Sequence, residues 1–181
     1  QTGAELVQFP KLDFDKLSEF IDFQNSFEVY DSLLKEGKGV LMITSHIGNW
    51  ELLGALLMLR GYKGLAIARR MRYQPYQRWL ENLRLSVGVH TMYRDESPRR
   101  IFRSLSQGKI VGLLPDQDID TLKGVFVHFF GRPAFTPVAP VKIALASGAP
   151  MVTTFLIRTS HDRYVFVIGD IIRPRINTTR E

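Results

Sequence analysis

His46 and Glu51 lie five residues apart in a compact polar stretch, Ser45-His46-Ile47-Gly48-Asn49-Trp50-Glu51, between apolar runs at residues 40–44 and 52–59. A histidine oriented by a carboxylate is a general base. The carboxylate fixes the tautomer and stabilises the imidazolium, an effect of roughly 10²- to 10⁴-fold in rate. On one continuous helix, five residues would set the two side chains roughly 140° apart. They can face each other only if His46 lies on a loop and Glu51 on the first turns of the helix that follows. No protein nucleophile accompanies them. The chain has no cysteine and no Gly-x-Ser-x-Gly elbow, and Ser45 adjoins His46 on extended backbone, where neighbouring side chains point apart. The residues therefore describe transfer of an activated group onto a hydroxyl that the substrate itself brings.

The flanking elements supply the required junction. The unbroken apolar run at 40–44 suits a parallel strand covered on both faces. Residues 49–60 read as a helix stopped by Gly61 and apolar almost all round, as expected for deep burial or contact with something greasy. Upstream, residues 20–23 read as a short strand, and Asn25 with Glu28 caps a helix to about Glu36. Downstream come a strand at 64–68, a helix at 74–86 with Tyr76, Trp79, Leu80 and Leu83 at core spacing, and a strand within 87–92. Ser97-Pro98 and Thr136-Pro137 each read as an N-cap followed by proline, opening helices to about Gly108 and Ser147. Strands are expected at 110–114 and 151–157, with 124–130 as strand or extended loop. His161-Asp162-Arg163 reads as a hairpin loop before a last strand at 164–168. The pattern predicts one α/β domain, a mixed, mostly parallel sheet layered with helices.

Other chemistry-bearing residues fall after strands, where ligands bind in such sheets. Arg69 and Arg70 follow the strand at 64–68, and a guanidinium there can bind phosphate or carboxylate. Pro115-Asp116-Gln117-Asp118-Ile119-Asp120 follows the strand at 110–114. Its alternating acids invite a calcium loop, but the sixth and twelfth positions are Thr121 and Val127, not Gly and Glu. These carboxylates read instead as acceptors that orient cationic or hydroxyl groups. The four histidines lack metal-ligand spacing, so no metal is expected.

With 181 residues, 45% of them hydrophobic, the chain can bury one sizeable core. A formal charge of +6 points to an acidic partner: nucleic acid, an anionic membrane surface or a phosphate-bearing substrate. A nucleic-acid module would use the arginines from Arg69 to Arg103, but the aromatic residues keep core spacing and do not interleave with them. Nucleic acid is not expected as a partner. No apolar run approaches the roughly 18–20 residues of a membrane span.

His46-Ile47-Gly48-Asn49-Trp50-Glu51 resembles the His-x-x-x-x-Asp/Glu motif of the lysophospholipid acyltransferase superfamily. It is most similar to the lipid A biosynthesis late acyltransferases and their mycobacterial mannoside-acylating relatives. Pro115-Asp116-Gln117-Asp118, the segment from Gly124 to Pro133, Thr136-Pro137 and Ser147-Gly148-Ala149-Pro150 follow in that family's order. The resemblance implies a glycerol-phosphate-acyltransferase-like fold and acyl transfer from an acyl carrier protein or coenzyme A thioester to a hydroxyl of a lipid or glycolipid. No cofactor beyond that co-substrate is implied. By position, His46 would be the base and Glu51 its orienting partner. Asn49, Arg69, Arg70, Asp116, Gln117, Asp118, Arg132 and Arg158 would contact substrate.

The resemblance also places the enzyme at the cytoplasmic face of the bacterial inner membrane. Such proteins usually carry an apolar N-terminal anchor and further C-terminal helices. Residues 1–181 are therefore expected to be a single acyltransferase domain, a fragment lacking both. A thioester hydrolase, passing the acyl group to water, is the alternative on the same residues.

Overall fold

The computed structural model describes residues 5–117, 123–159 and 163–175. A 3₁₀ turn at Phe9–Lys11 is followed by α1 (Phe14–Ser18), β1 (Ile21–Asp22), α2 (Ser26–Lys35), β2 (Val40–Ile43) and α3 (Trp50–Leu59). Next are β3 (Gly64–Ala68), α4 (Gln74–Ser86), β4 (His90–Tyr93), α5 (Arg99–Ser106) and β5 (Ile110–Leu113). The chain continues through β6 (Gly124–Phe129), β7 (Arg132–Pro137), α6 (Ala139–Ser147), β8 (Met151–Arg158) and β9 (Tyr164–Ile172).

Seven strands form one sheet in the order β1-β9-β8-β2-β5-β3-β4, parallel except that β8 and β9 run antiparallel. Strands β6 and β7 pair only with each other, as an antiparallel ribbon. The predicted mixed, mostly parallel sheet with helical layers is what the chain folds into.

Strand periodicity sorts the core into two layers. Val40, Met42, Ile110, Val152, Leu156 and Phe166 pack against Tyr30 and Leu33 of α2, Leu53 and Leu56 of α3 and Leu80 of α4. On the other face, Leu41, Leu65, Met92, Val111 and Met151 pack against Ile101 and Leu105 of α5 and Ala144 of α6. Being covered on both faces explains why β2 and β5 read as unbroken apolar runs. Helix α3 is apolar all round for the same reason: Leu52, Leu53, Ala55, Leu56 and Leu57 are all buried.

Several elements depart from expectation. Helix α1 is only one turn and a half long, capped by Asp13, whose side chain accepts from the Lys16 N–H; so short a piece leaves little periodicity to read. Thr136-Pro137 does not open a helix. It ends β7, paired with Gly124 and Val125, and α6 starts at Ala139 with proline at its second position. Asn25 precedes α2 without a side-chain cap. Trp79 is partly exposed and stacks on exposed Tyr76, 5.3 Å between ring centroids, outside the core. The expected hairpin loop at His161-Asp162 lies outside the described residues.

Candidate active site

Parallel register brings the key groups together. Strands β2 and β5 pair with a constant offset of 70 residues, Val40 opposite Ile110 through Ile43 opposite Leu113. The Thr44 N–H continues the ladder to the Leu113 carbonyl. Three residues past the end of each strand stand His46 and Asp116, offset by the same 70. The Asp116 carboxylate accepts from the His46 backbone N–H with one oxygen and from the ring Nδ1 with the other, both at 2.8 Å. Trp50 meets the imidazole edge-on, 4.9 Å between centroids.

Gly48 makes this loop possible. Its φ is +67°, and any Cβ there would run into the Leu156 carbonyl. That same carbonyl accepts from the Asn49 N–H at 2.9 Å, tying the loop to β8.

The pair is held by hydrogen bonds and charge. Partial burial works against the Asp116 charge, but the two hydrogen bonds from His46 and the attraction of the ring outweigh it and hold the carboxyl below its ordinary value of 3.8. An ionised Asp116 can only accept, so it selects the tautomer with a proton on Nδ1, and in the neutral ring Nε2 then faces away from Asp116 with its lone pair. His46 is 36% exposed and Asp116 31%, open enough to meet a substrate.

Glu51, expected to orient His46, has a different partner. It lies in the first turn of α3, and Arg84 from α4 grips it with two parallel bonds, Nε to Oε2 at 2.9 Å and Nη2 to Oε1 at 2.5 Å. Arg84 and Glu51 are only 14% and 11% exposed. Desolvation opposes the Arg84 charge, but bonding and attraction from Glu51, with help from Tyr93 and Glu81, raise its pKa above the ordinary value. The reason for the swap is geometric. Glu51 sits in the first turn of α3, where Arg84 of α4 reaches it, whereas the loop holding His46 follows the sheet register to Asp116.

Beside His46 a cavity of about 500 Å³ runs between the sheet and helices α3 and α4. Small residues open it: Gly112 stands in register between Met42 and Ala66, under Gly54 of α3. The cavity's lining joins apolar Met42, Leu80 and Val89 with His46, Arg69, Arg94, Gln117 and the Glu51–Arg84 pair. Arg69 and Arg94 are also register partners, extending the β3–β4 pairing in which Ala68 faces Tyr93. Both are exposed, and neither side chain forms an ion pair among the described residues. Thr44 also borders the cavity. It is 3% exposed, and its hydroxyl has no partner among the described residues.

The remaining expected contacts separate. Gln117 borders the cavity, but Arg70 does not: it turns away to bond Asp95 at 2.7 Å and lies 4.2 Å from the Tyr93 ring centroid. Asn49 is a helix cap, 2% exposed, accepting from the Leu52 N–H and donating to Glu5 at 2.6 Å. Arg158 joins Glu5 and Tyr164 around a different cavity, of about 890 Å³. Arg132 stands near the tip of the β6–β7 ribbon, opposite Phe129 and outside the cavity lining. Asp118 lies outside the described residues.

Three groups at the site were not singled out from sequence as a set: Thr44, Arg84 and Arg94. Arg94 had a readable signal, a basic residue directly after a strand like Arg69. Arg84 had none, being one of several arginines on a helix.

Over residues 1–181 the sequence matches the family described as bacterial lipid A biosynthesis acyltransferase. The chain belongs to this family. Among curated members it is 30% identical over 156 residues to the phosphatidylinositol mannoside acyltransferase of Mycobacterium tuberculosis strain H37Rv, covering 83% of this chain and 49% of that protein. The protein of the same name from Mycolicibacterium smegmatis is 26% identical over 151 residues, covering 81% and 49%. The chain thus spans about half the length of the family members it matches. That half includes the His46 motif, the Asp116 loop and the cavity.

Proposed function

We propose that this chain carries the acyl-transfer site of an enzyme that moves a fatty acyl group from a carrier-protein or coenzyme A thioester to a hydroxyl of a glycolipid. The observation that carries the reading is the His46–Asp116 pair, with His46 bordering a cavity whose walls are mostly apolar and include Met42, Leu80 and Val89 beside the Glu51–Arg84 ion pair. A base without a protein nucleophile suits direct attack by an acceptor hydroxyl, and the apolar trough suits the acyl chain. Its volume falls within the roughly 300–1,000 Å³ of small-molecule sites. The acyltransferase names of the mycobacterial relatives support the glycolipid acceptor.

In the proposed step, His46 Nε2 takes the hydroxyl proton as the acceptor oxygen attacks the thioester carbonyl. Asp116 steadies the imidazolium through Nδ1. The carbon–oxygen bond forms and the carbon–sulfur bond breaks. His46 returns the proton to the departing thiolate, so atoms and charge balance. Arg69 and Arg94 form an anion clamp for a phosphate of donor or acceptor. Glu51 and Arg84 act as structure, pinning α3 to α4 and so fixing the cavity's walls. A lipid acceptor places the reaction at a bilayer surface, consistent with the cytoplasmic face of the inner membrane.

The test is incubation with a radiolabelled long-chain acyl thioester and a glycolipid extract, followed by separation of labelled lipid. Label should move to lipid in the parent and not in His46→Ala. Undiminished transfer by both His46→Ala and Asp116→Asn would sink the assignment. Thioester loss without labelled lipid would mean that water is the acceptor.

A further inference from the structure

The β6–β7 ribbon contributes little to the core and shows its apolar side chains to solvent. Along β6, residues 125–129 are all exposed, with Phe126 at 73% and Phe129 at 63%. Exposure is not confined to one face. Val125, Val127 and Phe129 stand on one side of the ribbon and Phe126 on the other, where its ring meets its cross-strand neighbour Phe135. A protein partner would cover one face. A fluid apolar phase surrounds a protruding tip on every side.

The tip itself is conformationally costly. Phe129 pairs with Arg132, leaving the two-residue turn Phe130-Gly131, with φ of +49° and +74°. Two positive φ values in a hairpin turn favour Asn-Gly or Asp-Gly. A phenylalanine in the left-handed region is unfavourable, and within the protein Phe130 gains little, since it is 92% exposed. Among the described residues its one ring contact is Phe129, 4.6 Å away at the same tip.

Charge selects the phase. Residues 121–160 contain no aspartate or glutamate, while Lys123 and Arg132 flank the exposed phenylalanines. Neither cation forms an ion pair among the described residues. The base of the ribbon, at Pro137, shares a small cavity with Arg94 and Gln117, so the ribbon rises beside the mouth of the active site.

We propose that the β6–β7 ribbon is the element that enters the interface of an anionic bilayer. Phe126, Phe129 and Phe130 sit at the acyl boundary, and Lys123 and Arg132 lie against lipid phosphates. The ribbon thereby holds the site mouth against the surface from which a lipid acceptor is drawn. That positioning role, unlike the membrane contact itself, rests on the acyl-transfer reading.

The full chain is tested by co-sedimentation with phosphatidylcholine vesicles made with and without phosphatidylglycerol, with no acyl donor present. The parent should bind the anionic vesicles, and the double variant Phe129→Ser/Phe130→Asn should bind them roughly tenfold or more weakly. Asparagine suits the turn, so thermal unfolding of the variant should match the parent and exclude misfolding as the cause. In a second arm, Phe130→Trp should give blue-shifted emission that brominated lipid quenches more strongly than in the parent, which has only Trp50 and Trp79.

Absence of parent binding, equal binding by parent and double variant, or an unshifted tryptophan would overturn the proposal. A double variant that binds vesicles normally but loses capture by acyl carrier protein would place a protein on the ribbon instead. Loss of vesicle binding with full transfer to detergent-dispersed glycolipid would support the ribbon's role. Binding without transfer would count against the acyl-transfer reading alone.

Discussion

His46 and Glu51 lie five residues apart, yet each is held by a different partner, Asp116 and Arg84, and the two pairs are built differently. Asp116 holds His46 at the open end of the sheet, roughly a third exposed, and leaves one ring nitrogen unused. Glu51 holds Arg84 between two helices, nearly buried, and uses the guanidinium fork on both of its own oxygens. The first arrangement keeps chemical capacity in reserve, while the second spends it on packing. Proximity in sequence to a histidine is therefore a poor guide to which acid holds it. What decides is the element that carries the acid, here a loop in sheet register against a helix that leads away.

The comparison predicts that substitutions will divide cleanly between activity and stability. His46→Ala should lower acyl transfer by about 10³-fold or more while thermal unfolding stays within about 0.5 kcal/mol of the parent, because the ring is partly exposed. Asp116→Asn should cost about 10²-fold in kcat with little change in KM, since an amide can stabilise the wrong ring tautomer and no longer balances the imidazolium. Glu51→Ala should do the reverse. It strands a buried guanidinium and should destabilise the fold by about 3 kcal/mol, read by urea unfolding. The pair Glu51→Met/Arg84→Met should recover most of that loss, because apolar side chains of similar volume need no charge partner. If the Glu51 single variant instead keeps its stability and loses activity as His46→Ala does, the division between the two pairs is wrong. Arg69→Gln should be milder, raising KM for a phosphorylated substrate by about tenfold and leaving kcat near the parent value.

Much of the scaffold was legible because local signals agreed. The apolar runs of β2 and β5 and the polar break after each mark the loops where chemistry gathers. The sheet class and the role of His46 as the group to watch follow from these. The partner of His46 was not legible in the same way. Its distance in sequence is the strand register, and register is set only when β2 and β5 pair through the core. Asn49 shows the converse problem: a residue that fits a motif can be there to cap a helix. Strand β7 was hidden by Pro133 and Pro137, which normally argue against a strand. Both are tolerated because β7 is one of only two strands in its sheet and each has an edge free of pairing.

The smallest expected effect is a pH dependence of stability, and it tests whether the open pair is held by charge. Asp116 has its pKa lowered on folding, opposed by burial and driven by its bonds to His46. A carboxyl depressed in the folded state stabilises the protein above its unfolded pKa, and loses that contribution as pH falls through the folded value. The unfolding temperature of the parent should therefore exceed that of Asp116→Asn by a constant margin from about pH 5 upward. The margin should shrink below the ordinary carboxylate value of about 3.9. With both groups partly in water, the margin itself should be small. The same scan on Glu51→Gln reports on a pair whose margin comes mainly from leaving Arg84 unpartnered, so it should exceed that of Asp116→Asn throughout the neutral range. Equal margins for the two variants at neutral pH would erase the contrast between an open pair kept for chemistry and a closed one kept for packing.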